Sequence, residues 1–99
     1  MCGIAGILSS DIDLRGEKLL VEKMGKTLKK RGPDAAGIYL TPEVALVHRR
    51  LSVIDVENGA QPMHFGKYVI VYNGEIYNTD EVRNELEGFG YKFDTHCDT

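Results

Sequence analysis

A chain of 99 residues, 42% apolar and 27% charged, suffices for one modest core and is too short for two. The formal charge of -3 is spread over interspersed acids and bases, which argues against nucleic acid or an anionic membrane surface as a partner. No apolar run approaches the roughly 20 residues that span a bilayer, and Met1-Cys2-Gly3-Ile4 lacks the basic start of a secretory signal, so the expected compartment is the cytoplasm.

In chain order, Cys2 to Leu8 is small and apolar and reads as a buried strand, closed by the polar turn Ser9-Ser10-Asp11. From Glu17 to Lys30 the four-residue recurrence of Leu20, Met24 and Leu28 predicts an amphipathic helix, weakened by Gly25 and ended by Arg31-Gly32-Pro33-Asp34. Three short strands are expected at Gly37 to Leu40, Val44 to Val47 and Leu51 to Val56, arranged as an antiparallel meander. Asn58 to Pro62 is a loop. Lys67 to Tyr72 is a continuous apolar run that predicts a strand covered on both faces, ended by Asn73-Gly74. Asn78, with Glu81 three residues on, predicts the N-cap of a helix carrying Val82, Leu86 and Phe89 on one face and stopped by Gly90. This order gives an α+β fold. The chain stops at Cys97-Asp98-Thr99 without a capping residue, so it reads as the front part of something longer.

The chemistry-bearing residues are few. Cys2 follows the initiator methionine directly, and removal of Met1 would leave a thiol and a free α-amine on one residue, the amine with a pKa of roughly 7.7-8.0. A buried small residue is the alternative reading of Cys2. Asn73-Gly74 offers a carboxamide and an unhindered backbone N–H, the two donors an oxyanion needs, although the same pair also makes an ordinary turn. Within His48-Arg49-Arg50, an arginine aimed into a pocket suits the α-carboxylate of an amino acid, and Asp98 suits its α-ammonium; solvated surface charges are the alternative. His48, His64 and His96 are bases by type, but no spacing ties them to Cys2 and they are assigned no role. Cys2, Cys97, His96 and His48 lack the paired spacing of a zinc site, so no metal is expected, and two thiols make no disulfide framework.

These residues stand in segments that resemble the N-terminal-nucleophile, or class II, glutamine amidotransferases, most nearly the glutaminase domain of asparagine synthetase. The resemblance is carried by Met1-Cys2-Gly3-Ile4-Ala5-Gly6, Arg31-Gly32-Pro33-Asp34 with Gly37-Ile38, His48 to Asp55, Gly59 to Met63, and Tyr72 to Asn78. It implies an αββα four-layer sandwich of which only the N-terminal part is present, with residues 1-99 as that portion of the domain. It makes Cys2 the nucleophile, and Asn73 with the Gly74 N–H the oxyanion hole. Arg50 would bind the glutamine α-carboxylate, Glu75 and Asp98 its α-amino group, and Val53 would add a backbone carbonyl. The family commonly has Ser-Asp-Thr-Glu where this chain has Cys97-Asp98-Thr99.

The implied reaction is hydrolysis of glutamine to glutamate and ammonia through a Cys2 thioester, without a cofactor. ATP and Mg are expected only for a synthetase domain of the full-length protein, where ammonia would convert aspartate to asparagine. Glutamine and that domain are the implied partners, with a homodimer left open. A non-catalytic glutamine-binding or partner-binding domain and another class II amidotransferase are the competing readings.

Overall fold

A computed structural model describes residues 2-51, 59-95 and 99. Met1, Val53, His96, Cys97 and Asp98 lie outside the described residues, as does most of the strand expected from Leu51 to Val56.

The fold is α+β, built on a three-stranded antiparallel sheet. Strand β1 (Gly3–Leu8) and strand β2 (Ala35–Leu40) both pair with β3 (Val44–Arg50), which is central. The register sets Ile4 and Gly37 opposite His48, and Ala5 and Ile38 opposite Val47. β2 and β3 form the expected hairpin, and among the described residues the third strand of the sheet comes from the start of the chain. Strand β3 is also longer than its apolar residues suggest, because pairing on both edges carries it through His48, Arg49 and Arg50.

Side chains alternate across a strand, so β3 divides its residues between two faces. Ala45 and Val47 point to one face and meet Leu14 and Val21, with Ala5, Ile7 and Leu40 packed around them. Leu14 opens a short 3-10 turn (Leu14–Glu17) leading into helix α1 (Lys18–Thr27). The buried side of α1 is Val21 and Gly25, not the expected Leu20 stripe, and Leu20 is exposed. Gly25 is the point of closest approach: a Cβ there would stand 2.9 Å from Val47 Cγ1. The helix therefore gives up about 1 kcal/mol of propensity to sit close to the sheet. Each fully buried Leu or Val contributes roughly 1.5-3 kcal/mol.

The other face of the sheet receives the second half of the chain. Strands β4 (Met63–Phe65) and β5 (Tyr68–Ile70) form a small antiparallel hairpin, and helix α2 (Thr79–Gly88) follows. Strand β5 is three residues long rather than six, and Tyr68 (65% exposed) and Ile70 (48%) are open to solvent instead of covered on both faces. Strand β1 is likewise covered on one face only, with Leu8 83% exposed. Asn78 stands at the N-cap of α2 but makes no side-chain capping bond; the Thr79 hydroxyl instead bonds back to the Ile76 carbonyl. Gly90, at φ 94°, ends the helix as expected. Among the described residues no helix is long and apolar enough to cross a membrane.

Leu14→Ala should destabilise the fold by about 2-5 kcal/mol in urea denaturation, because it empties a fully buried position. Leu19→Ala, on the exposed side of α1, should change it by under about 0.5 kcal/mol.

Candidate functional site

Cys2 immediately precedes β1 and is half-buried with a free thiol. Because β1 runs antiparallel to β3, the start of β1 lies beside the end of β3, and the Cys2 sulfur reaches the residue after Arg50. The Leu51 N–H donates to Cys2 Sγ at 3.4 Å, and the Cys2 thiol faces the Leu51 carbonyl at 3.7 Å. Arg31 Nε donates to the Cys2 carbonyl at 3.2 Å, which fixes the main chain of the same residue. The loop carrying Arg31 is itself latched to β3: Arg49 Nε donates to the Gly32 carbonyl at 2.9 Å, and the Asp34 N–H to the Arg50 carbonyl at 2.9 Å.

Arg50 and His48 share the face of β3 that α1 does not cover, and both are buried. Sequence reasoning assigned no role to His48, yet it is among the largest fully buried side chains. Its Nε2 lies 3.1 Å from the Tyr72 carbonyl oxygen. A carbonyl only accepts, so this nitrogen carries the hydrogen. Burial pushes the His48 pKa below the ordinary 6.5, the bond to Tyr72 opposes that shift, and the positive charge of Arg50 adds to it. The ring is thus held neutral, with Nε2 as donor.

Tyr72 directly precedes Asn73-Gly74, so the bond from His48 ties that pair to the strand that ends at Arg50. Asn73 is half-buried, and Gly74 and Glu75 are exposed. Tyr72 is gripped a second time, because its N–H donates to Gln61 Oε1 at 2.6 Å, and Gln61 Nε2 donates to the Thr99 hydroxyl at 2.8 Å. The structure therefore brings Cys2 to the Arg50–Leu51 peptide and joins the 72-75 segment to the same strand through His48. Val53 and Asp98 lie outside the described residues. Arg31, His48 and Gln61 were missed by sequence reasoning; only their places within or beside the quoted motifs could have signalled them.

A cavity of about 630 Å³ lies elsewhere, between the β4–β5 hairpin and α2. Phe65, Tyr68, Ile70, Val82 and Leu86 give it an apolar lining, and none of Cys2, Arg50, Asn73, Gly74 or Glu75 borders it. Among the described residues no three His, Cys, Asp or Glu side chains converge as metal ligands.

A family model described as a glutamine amidotransferase domain matches residues 1–99. The chain is 42% identical over 103 residues to glutamine-hydrolyzing asparagine synthetase 3 of Bacillus subtilis, covering all of this chain and 17% of that protein. It is 40% identical over 100 residues to a probable glutamine-hydrolyzing asparagine synthetase of Schizosaccharomyces pombe, covering 99% of this chain and 18% of the relative. With glutamine-hydrolyzing asparagine synthetase 1 of Arabidopsis thaliana it shares 36% identity over 101 residues, 99% of this chain and 17% of the relative. The chain thus spans about a sixth of the length of these relatives.

The state of His48 sets a pH dependence. The unfolded chain takes up a proton at this histidine near pH 6.5, whereas the folded chain does so only at lower pH. Between those values the unfolded state binds more protons, so this contribution to stability is complete above about pH 6.5 and is lost as the pH falls below it. The melting temperature should therefore drop between pH 7.5 and pH 5.5, and His48→Gln should shrink that drop in a thermal-melt series.

Proposed function

The chain belongs to the glutamine amidotransferase domain family, and from that premise we propose that it is the front part of a glutaminase domain in which Cys2, freed by removal of Met1, attacks the side-chain amide of glutamine. The observation that carries this reading is the meeting of the Cys2 sulfur with the Leu51 N–H at the end of β3. The strand that receives the thiol also carries buried Arg50 and, through His48, the segment leading to Asn73-Gly74. A nucleophile, a carboxylate-binding cation and two oxyanion donors would then converge from three separate parts of the chain.

In this mechanism the Cys2 thiol gives its proton to its own α-amine through a water, and the sulfur forms a bond to the glutamine Cδ. The carbonyl oxygen takes the negative charge and is held by the Asn73 side-chain N–H and the Gly74 backbone N–H. Collapse of the tetrahedral intermediate breaks the C–N bond, and the α-ammonium returns a proton to the departing nitrogen, which leaves as ammonia. Water then cleaves the γ-glutamyl thioester to glutamate and restores the thiol. Arg50 holds the α-carboxylate of the substrate by a paired hydrogen bond, Glu75 and Asp98 its α-ammonium, and Val53 adds a carbonyl.

The domain completed by further chain would be an αββα sandwich, with α1 and the β1-β3-β2 sheet as its first two layers. The names of the relatives support asparagine as the product, and their greater length supports an ammonia-using domain on the same polypeptide; aspartate as acceptor is part of this proposal. ATP and Mg are assigned to that domain, and none of the steps above is routed through them.

Intact-mass measurement of the full-length protein should show loss of Met1 and one covalent adduct on Cys2 after treatment with 6-diazo-5-oxo-norleucine. Cys2→Ala should take up no adduct and hydrolyse no glutamine; a retained methionine with no adduct would instead indicate a non-catalytic domain. Asn73→Ala should lower kcat for glutamine hydrolysis by about 10²-10³ with little change in KM, since its donor acts in the transition state. Arg50→Leu should mainly raise KM, and steady-state kinetics on the two variants separates the roles.

A further inference from the structure

The Asn73-Gly74 segment is joined to the Cys2-bearing sheet by side-chain contacts at Tyr72, since no strand of the three-stranded sheet includes residues 71-75. Among the described residues two side chains bond there, both to the residue just before Asn73. His48 Nε2 bonds the Tyr72 carbonyl at 3.1 Å, and Gln61 Oε1 accepts the Tyr72 N–H at 2.6 Å. One residue thus has both of its main-chain polar groups gripped, by side chains 24 and 11 residues before it in sequence.

Each grip is itself held. His48 is fully buried in the central strand, paired to Ile4 on one side and Gly37 on the other. Gln61 lies flush against β2: a Cβ on Gly37 would stand 1.8 Å from the Gln61 carbonyl oxygen, so only glycine lets the segment approach this closely. The remaining end of the Gln61 amide donates to the Thr99 hydroxyl at 2.8 Å, next in sequence to Asp98. The orientation of the amide is fixed by its partners, because Tyr72 presents a donor to Oε1.

We propose that His48 and Gln61 are positioning residues that clamp the Tyr72 main chain and thereby hold Asn73 and Gly74 in place relative to Cys2. This rests on the functional reading above. An oxyanion hole works only if its donors sit about 2.7-3.1 Å from where the charge develops. A misplacement of about 1 Å by a residue remote from the chemistry can cost about 10² in rate. The clamp acts on the geometry of the donors without touching substrate, so its loss should affect kcat rather than KM and should spare the thiol itself.

The test uses the full-length protein and reads glutamine hydrolysis together with the rate at which iodoacetamide alkylates Cys2, a reaction that needs no oxyanion hole. His48→Gln keeps an N–H donor at the reach of Nε2, whereas His48→Asn is too short. His48→Asn and Gln61→Met should each lower kcat by about 10²-fold, with KM and the alkylation rate within about threefold of the parent. His48→Gln should recover most of the loss. If His48→Gln and His48→Asn behave alike, or if KM rises while kcat holds, or if alkylation slows in parallel with kcat, the positioning role is overturned. Cys2→Ala is assayed alongside: retained hydrolysis there would overturn the functional reading, and with it this proposal, whatever the His48 series shows.

Discussion

The double pairing of β3 is the constraint on which the rest of this structure depends. Pairing with β1 and β2 satisfies the main-chain groups of Val44–Arg50 on both edges, which allows a strand ending in His-Arg-Arg to run through the interior. The buried side chains of His48 and Arg50 need partners of their own, since burying them unpaired would cost several kcal/mol, and His48 has one in the Tyr72 carbonyl. Among the described residues, no buried side-chain nitrogen or oxygen lacks a hydrogen-bond partner. The strand thus separates two jobs by its pleat alone: Ala45 and Val47 anchor the helix, while His48 and Arg50 face the second half of the chain.

That separation explains where sequence reasoning succeeded. β1, α1, β2, β3, β5 and α2, the hairpin joining β2 to β3, and the Gly90 stop were legible because each rests on local chemistry, namely apolar runs, turn formers and a left-handed glycine, whereas β4 was not foreseen. The helix face was read in part: Met24 and Leu28 are half-buried, but Leu20 is exposed and the deepest positions are Val21 and Gly25. A stripe of Leu20, Met24 and Leu28 is more apolar than Val21 and Gly25, but close packing rewards the smaller side chains where Val47 approaches the helix. Gly25 therefore reads in sequence as a weakness and in three dimensions as a contact.

The candidate residues were picked out in a different way. Residue type and motif named Cys2, Asn73, Gly74 and Arg50, but nothing local connects the ends of a stretch more than seventy residues long. The connection is made by register, which sets the start of β1 against the end of β3, and by side chains whose partners are distant main-chain groups: Arg31 to Cys2, His48 and Gln61 to Tyr72. Periodicity does not register such bonds. A buried histidine and a surface histidine look the same in a sequence, and here only the fold distinguishes buried His48 from exposed His64.

The two halves of the site consequently have different kinds of support. Cys2 adjoins a continuous ladder that begins at Gly3, and its own sulfur and carbonyl are bonded to Leu51 and Arg31. Asn73-Gly74 follows a hairpin only three residues deep whose apolar side chains are largely exposed, and its attachment to the sheet runs through Tyr72. Local stability scales with buried contacts and protected hydrogen bonds, so the 72-75 segment belongs to the weaker part of the molecule. On the proposed reading, the thiol stands beside a firm ladder while the oxyanion donors stand on a weakly supported segment. The same arrangement places the demand for precision on the residues that join the two halves, and the neutral imidazole of His48 can meet it because burial keeps the ring uncharged while the carbonyl of Tyr72 fixes which nitrogen bears the hydrogen.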